Sequence, residues 1–272
     1  ERGKASSPDR ILPTVDVAVV ALHGAYGQDG EVQKLLERFG VAYTGADPWA
    51  CYLSAHKLMA KKHVEEVGLL TPRYHFIDQV TEIDRIVHEA IRTFHQPVVV
   101  KPVDSGSSVG VSIVGGYAPV HLAVTNLFLA GTKGVLIEEL VKGTEATVGI
   151  VEGLRGEELY ALPPVEIVPS AAFFSYEAKY SGQSREICPG RFDRRVSEAL
   201  MDAARRAHEA LGLRHYSRSD FIVSPKGIYY LETNNAAAVG MTGESLFPKS
   251  LAAVGVGLPE FLEHLIERAK RH

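Results

Sequence analysis

Two β-rich runs joined by a Pro-x-Gly turn bring three oxygen-bearing side chains into one small area, and this constrains the chain more than any other stretch. The runs are Arg218-Ser219-Asp220-Phe221-Ile222-Val223 and Ile228-Tyr229-Tyr230-Leu231-Glu232-Thr233-Asn234, with Ser224-Pro225-Lys226-Gly227 between them. A type I turn with Gly227 as a G1 bulge would set Ser224 opposite Ile228, and therefore Asp220 opposite Glu232. Strand residues two apart share a face, so Asn234 joins the two carboxylates and Arg218 lies one step along the same face. Two facing acids need a cation. A set of hard oxygen donors suits magnesium, which keeps waters and leaves positions for substrate phosphates. The plain alternative is a surface hairpin whose acids face water, and the neighbouring motifs decide between the two.

At 272 residues, with 46% hydrophobic and 23% charged residues, the chain can bury a substantial core in two or three lobes. A formal charge of -4 and a pI near 6.3 give no general attraction to nucleic acid or to an anionic membrane. Cys51 and Cys188 are the only cysteines and form no C-x-x-C pair, which argues against a disulfide framework or structural zinc and fits a reducing cytosol. No signal peptide is legible, and no apolar run is long enough to span a bilayer.

Val15 to Leu22 is a mostly apolar run of the kind buried in a parallel sheet. It is followed by the glycine-punctuated loop His23 to Gly30 and a helical pattern from Glu31 to Phe39 that Gly40 ends. His23 sits at the C-terminal end of that strand, where ligands gather in open α/β sheets. The run reads as half of a doubly wound domain whose first strand and helix have no counterpart before Val15. A helix from Ser54 to Gly68 carries Lys57, Lys61 and Lys62. A helix from Asp84 to Thr93 then precedes Pro97-Val98-Val99-Val100-Lys101-Pro102, a strand ending in a lysine. Directly after it, Asp104-Ser105-Gly106-Ser107-Ser108-Val109-Gly110 can offer backbone N–H groups and hydroxyls to an anion beside the Lys101 charge, although such a loop is also an ordinary hairpin turn.

Gly134 to Val141 is an apolar strand that ends in Glu138, Glu139 and Val141, and Lys142-Gly143-Thr144-Glu145 leads into the next strand. An adenine needs backbone hydrogen bonds in an apolar slot and a ribose diol needs a carboxylate, and this segment holds both; an edge strand with solvated acids is the alternative. Phe173 to Gln183 has no period and reads as a long lid-like loop, and Ala199 to Leu211 is an amphipathic helix closed by Gly212.

The order of these parts resembles the D-alanine-D-alanine ligases of the ATP-grasp family from about Val15 onward. The matching segments are Lys57, the Val-Val-Val-Lys101-Pro strand with Gly106 to Gly110, Glu138-Glu139 to Glu145, Tyr176-Glu177-Ala178-Lys179-Tyr180, Arg218-x-Asp220, Glu232-x-Asn234 and Gly240-Met241-Thr242. The resemblance implies an ATP-grasp fold of the α/β (α+β) class, with two α+β lobes holding ATP between them. A partial Rossmann-like lobe at 1-56 would precede a central lobe at 57-141 and a C-terminal lobe with the metal site at 142-272. It implies that ATP phosphorylates the carboxylate of one D-alanine and that a second D-alanine attacks the acyl phosphate, giving the dipeptide used in peptidoglycan. Lys57, Lys101 and Ser108 would hold phosphates, and Glu138, Glu139, Val141 and Glu145 adenine and ribose. Asp220, Glu232 and Asn234 would bind two magnesium ions, with manganese as a substitute. Arg218 and the Gly240 N–H would stabilise developing negative charge. Ser107 would contact substrate, Lys179 and Tyr180 would close over it, and His23, Ser245 and Leu246 would line the substrate side. A cytoplasmic homodimer is implied as well.

Three departures qualify the resemblance. The family pattern Glu-x-Asn-Thr-x-Pro-Gly-Met-Thr is here Glu232-Thr233-Asn234-Asn235-Ala236-Ala237-Ala238-Val239-Gly240-Met241-Thr242, two residues longer and without proline, so a flexible alanine-rich loop is expected. Ser105 and Gln28 stand where the family usually has glutamates, and the family's N-terminal glutamate has no counterpart. The alternatives are another ATP-grasp carboxylate-amine ligase, or a truncated relative that binds Mg-ATP without turnover. Tyr180, where depsipeptide-forming relatives carry histidine, favours an amine acceptor over D-lactate.

Overall fold

The computed structural model describes residues 7–106, 109–168, 185–243 and 245–271. After a short helix α1 (Pro8–Ile11), β1 (Val17–Ala18) pairs in parallel with β2 (Ala42–Tyr43), and α2 (Glu31–Arg38) connects them. The apolar run from Val15 is therefore a much shorter strand than its composition suggests. Val20 is buried, but Val19 and Leu22 are 43% and 46% exposed, because no further described strand covers that side.

The helix expected from Ser54 is two helices, α3 (Pro48–Ala55) and α4 (Lys57–Glu66). His56 stands between them in extended conformation, accepting a bond from Met59 N at its Nδ1 (3.4 Å). The break turns Lys57 into the first residue of α4, with its N–H on Val103 O at 2.8 Å. A four-stranded antiparallel sheet follows in the order β3-β6-β4-β5, from Tyr74–Ile77 (β3), Val98–Pro102 (β4), Ser112–Val114 (β5) and Val135–Glu139 (β6). Alternation sorts its residues. Val98, Val100, Val135 and Ile137 pack under helices α5 (Ile83–Thr93) and α6 (Tyr117–Leu129), which leaves Lys101, Leu136 and Glu138 on the opposite face.

The larger sheet runs β10-β9-β7-β11-β12, with β8 beside β7: Thr144–Glu152 (β7), Leu159–Ala161 (β8), Val165–Val168 (β9), Arg185–Ile187 (β10), Tyr216–Ser224 (β11) and Gly227–Asn235 (β12). One face packs on α3, α4 and the long helix α7 (Arg194–Ala210), which Asp193 caps by accepting from Val196 N at 2.8 Å. Beyond the Tyr216 end of the sheet, Tyr216, Phe247 and Phe261 form a second cluster with helices α8 (Leu246–Ala253) and α9 (Leu258–Ala269), ring centroids lying 5.3–5.6 Å apart.

The β11–β12 hairpin pairs Asp220 with Glu232, but the turn is not the one expected. Ser224 pairs with Gly227 across a two-residue loop, and the register shifts later, between Asp220 and Phe221, where Leu231 is the extra residue. The bulge thus lies inside the ladder. It lets Tyr230 stay in the core against Phe221, at 6.1 Å, while Glu232 two positions on faces the other way.

The alanine-rich segment is likewise not a flexible loop. Ala236–Ala238 is a 3-10 turn in which Ala236 and Ala237 are buried, and Ala237 completes the small core of Val20, Leu36, Val41 and Tyr43. Tyr216 Oη donates to Ala236 O at 3.0 Å. Asn235 Nδ2 reaches Gln28 O (2.8 Å), Ser54 Oγ (3.0 Å) and Cys51 O (3.3 Å). The added residues fasten the end of the hairpin to the first 55 residues of the chain.

Asn235→Ala removes these donors from a buried site and is expected to cost about 2 kcal/mol, measurable by urea unfolding. Glu152 supplies a pH-dependent term. Burial opposes its ionisation, yet His208, the His215 backbone and Arg268 (NH2 at 3.0 Å) hold its pKa down at about 2. Its stabilisation is complete above the unfolded value near 4.5 and is lost as pH falls toward 2. Glu152→Gln should therefore flatten stability against pH across that window by at most about 3 kcal/mol.

Candidate active site

The face of the small sheet that packs on α4 and the cleft edge of the large sheet meet at Lys57. Its Nζ donates to Ser105 O and lies 3.5 Å from Glu232 Oε2, so one ammonium ties α4, the Gly-Ser loop and β12 together. Burial holds the Lys57 pKa below that of a free lysine. Lys101 projects from β4 on the same side, with Nζ 3.0 Å from Glu138 Oε2. The other oxygen of Glu138 is 3.1 Å from Lys61 Nζ. Glu138 therefore sits between two lysines at 3% side-chain exposure. Glu139 sits at the rim, where Arg73 grips it through N, Nε and NH2 at 3.1, 3.0 and 2.8 Å. Val141 and Glu145 are half-buried beyond it, at the start of the large sheet.

On β11 and β12 alternation gives two different faces. Ser217, Ser219 and Thr233 point into the core, with Ser219 Oγ 2.8 Å from Thr233 Oγ1. Arg218, Asp220, Glu232 and Asn234 point to the cleft. Arg218 holds Asp220 with two bonds (Nε to Oδ1 3.2 Å, NH2 to Oδ2 3.1 Å), and Asn234 Nδ2 donates to Asp220 Oδ2 at 3.2 Å. Burial raises the Asp220 pKa and the nearby Glu232 charge adds to the rise. For Glu232 burial acts the same way but is outweighed by Lys57, Lys101 and Arg218, which hold it low. Among the described residues no three His, Cys, Asp or Glu side chains cluster as a metal site. The two facing carboxylates and the Asn234 amide oxygen are nonetheless hard donors on one face, a set that fits a small divalent cation.

A cavity of about 450 Å³ opens beside these groups. It brings together Arg218, Asp220, Glu232 and Asn234 with His23, Gly240, Ser245 and Leu246, which arrive from three separate segments. Ser107, Ser108, Lys179 and Tyr180 lie outside the described residues.

Three contributors escaped the sequence reading. Lys61 was visible only as a lysine one helical turn after Lys57. Glu186 lines the cavity and pairs with Lys249 at 2.8 Å, a contact between distant segments with no local signal. Thr147, opposite Asp220 on β7, donates its hydroxyl to Asp220 Oδ1 at 2.5 Å and to Ser219 O at 3.2 Å. Knowing that β7 neighbours β11 would have pointed to it. Thr147→Val keeps the shape and removes a donor from a buried carboxylate, so a loss of about 2 kcal/mol is expected by denaturant unfolding.

The chain matches the family model described as D-ala D-ala ligase C-terminus over residues 64–267. It is 38% identical to the D-alanine--D-alanine ligase of Syntrophobacter fumaroxidans over 260 residues, covering 94% of this chain and 80% of that protein. It is 37% identical to that of Desulforudis audaxviator, over 94% and 82%. Among solved structures, the VanG D-Ala:D-Ser ligase from Enterococcus faecalis superposes with a TM-score of 0.84 at 28% identity, over 94% of this chain and 73% of that one. The D-alanine--D-alanine ligase from Bacillus anthracis complexed with ATP gives 0.81 at 29%, over 97% and 82%. The identity of its relatives, the extent of the match and the shared fold agree with the cleft just described, and the chain belongs to the D-alanine-D-alanine ligase family.

Proposed function

We propose that the cleft joins two D-alanine molecules at the expense of ATP, through an acyl phosphate, to make the dipeptide of peptidoglycan. The observation that carries this reading is the meeting of Lys57 with Glu232, which sets the start of α4, on the side of the small sheet that carries Lys101, against the carboxylates of the β11–β12 hairpin, beside the cavity those carboxylates line. Such a cleft offers positive charge for a triphosphate on one wall and an oxygen-lined floor on the other.

In this reading Lys57 and Lys101 hold phosphates and orient the γ-phosphoryl group toward the carboxylate of the first D-alanine. The Val141 and Glu145 segment receives adenine and ribose. One carboxylate oxygen forms the new P–O bond as the bond to ADP breaks. The amine of the second D-alanine then attacks the carbonyl carbon, the amine proton is lost and inorganic phosphate leaves. Arg218, which lines the cavity beside Asp220, and the Gly240 N–H stabilise the oxyanion formed at that carbonyl. Ser245 and Leu246, at the start of α8, receive the carboxylate of the second substrate, and His23 closes the far side. Lys179 and Tyr180 are assigned to covering the site, since an acyl phosphate must be kept from water. Asp220, Glu232 and Asn234 would hold magnesium, which when bound neutralises charge developing on the phosphates.

The proposal extends to a cytoplasmic homodimer; no helix among the described residues is long and apolar enough to cross a membrane. Phosphate release from Mg-ATP should require D-alanine and vanish in Asp220→Ala. Release with L-alanine, D-serine or D-lactate instead would assign another acceptor, and nucleotide binding without release would refute the ligase reading. Gly240→Ala offers a sharper check. A Cβ there would lie 2.6 Å from Ser245 Oγ and 3.1 Å from its Cβ. It should lower kcat by about tenfold or more, since displacing the N–H approaches the roughly hundred- to thousandfold cost of losing an oxyanion donor, with little change in the unfolding midpoint.

A further inference from the structure

Lys61 is a fully buried ammonium that the reaction outlined above does not use. Its side chain is 0% exposed, and the ammonium sits 3.1 Å from Glu138 Oε1 without an aligned hydrogen bond and 5.6 Å from the centre of the Tyr74 ring. Burial lowers its pKa to about 8, against the pull of Glu138. A lysine in this setting is costly to desolvate, and replacing a buried ion pair with apolar groups is often neutral or stabilising. Packing alone therefore gives little reason for a charge here.

Counting charge on the far side of Glu138 supplies one. Glu138 is shared, with Oε2 on Lys101 at 3.0 Å and Oε1 on Lys61. Glu138 and Lys101 by themselves form a neutral pair. The carboxylate would aim the Lys101 ammonium well but cancel most of its attraction for an incoming anion. With Lys61 behind it the group of three carries one net positive charge, and the least buried member of that group is Lys101, at 8% side-chain exposure. We infer that Lys61 is a positioning residue for the nucleotide: it offsets Glu138, so that Glu138 can hold Lys101 in place without neutralising it toward the phosphates. The inference rests on the proposed ATP site and deepens it.

The test is the dissociation constant for Mg-ATP, measured by calorimetry without D-alanine, together with unfolding midpoints. Lys61→Met should fold, since Glu138 keeps Lys101 as its partner. It should bind Mg-ATP about ten- to a hundredfold more weakly, the effect of one unit charge roughly 6–12 Å away at an effective dielectric near 20. Lys61→Gln makes the same change in charge with a hydrogen-bonding side chain, and serves if the Met variant does not fold. Lys61→Arg should bind as the unaltered protein does. The decisive variant is Lys61→Met/Glu138→Gln, which restores the net charge at Lys101 and should recover affinity to within about threefold of the starting value. Unchanged affinity in folded Lys61→Met or Lys61→Gln would overturn the inference, as would a double variant no better than Lys61→Met. If the unaltered protein bound no Mg-ATP, the ATP site itself would fall, an outcome distinct from either.

Discussion

Asp220 and Glu232 face each other across two hydrogen-bonded strands, and much of the surrounding architecture answers that repulsion. Arg218 and Asn234 come from the same face of the hairpin, Thr147 from the neighbouring strand, and Lys57 from a helix that starts where α3 breaks. None of these groups is adjacent in sequence to all the others. Two like charges in a half-buried cleft are tolerable only while such donors surround them, which is why helix α4 and three strands of the large sheet, β7, β11 and β12, must be placed together. The small sheet contributes the second ring of charge through Lys101, and the site lies at the seam between two cores rather than within either.

The internal bulge settles a conflict between packing and chemistry. Tyr230 belongs to the core under α4 and α7, whereas Glu232 must face the cleft, and in a regular strand residues two apart share one side. Leu231 absorbs the difference. A register fixed at the turn would have given the same Asp220–Glu232 pair while sending Tyr230 out of the core.

Most of this site was legible in the sequence because its chemistry repeats locally: acids at period two, a lysine at a strand end, a glycine-serine loop after it. The pairing of Asp220 with Glu232 followed from counting along the hairpin even though the assumed turn was different, since one extra residue anywhere between them gives the same result. What the sequence concealed depended on tertiary neighbours. Composition showed Ala236 to Ala238 as small and weakly restrained. Only the position of the N-terminal lobe reveals that small side chains are what fits there, with Ala237 filling a gap among Val20, Leu36 and Tyr43. The apolar run from Val15 misled in the opposite direction, because hydrophobicity reports what a strand could bury and says nothing of whether a neighbour covers it. The partners of Glu138 were hidden for the same reason, as Lys61 and Lys101 approach from other elements.

The knot around Asn235 also has a bearing on time. Its acceptors, Gln28, Cys51 and Ser54, leave the ribosome about two hundred residues before the amide that joins them. At ordinary rates of synthesis, roughly 5–20 residues per second, that interval is on the order of ten to forty seconds. Throughout it the small core of Val20, Leu36, Val41 and Tyr43 lacks Ala237. That lobe of the nascent protein is thus made well before the hairpin yet is among the last parts to settle, and its exposure to proteases and chaperones is set by the arrival of the hairpin.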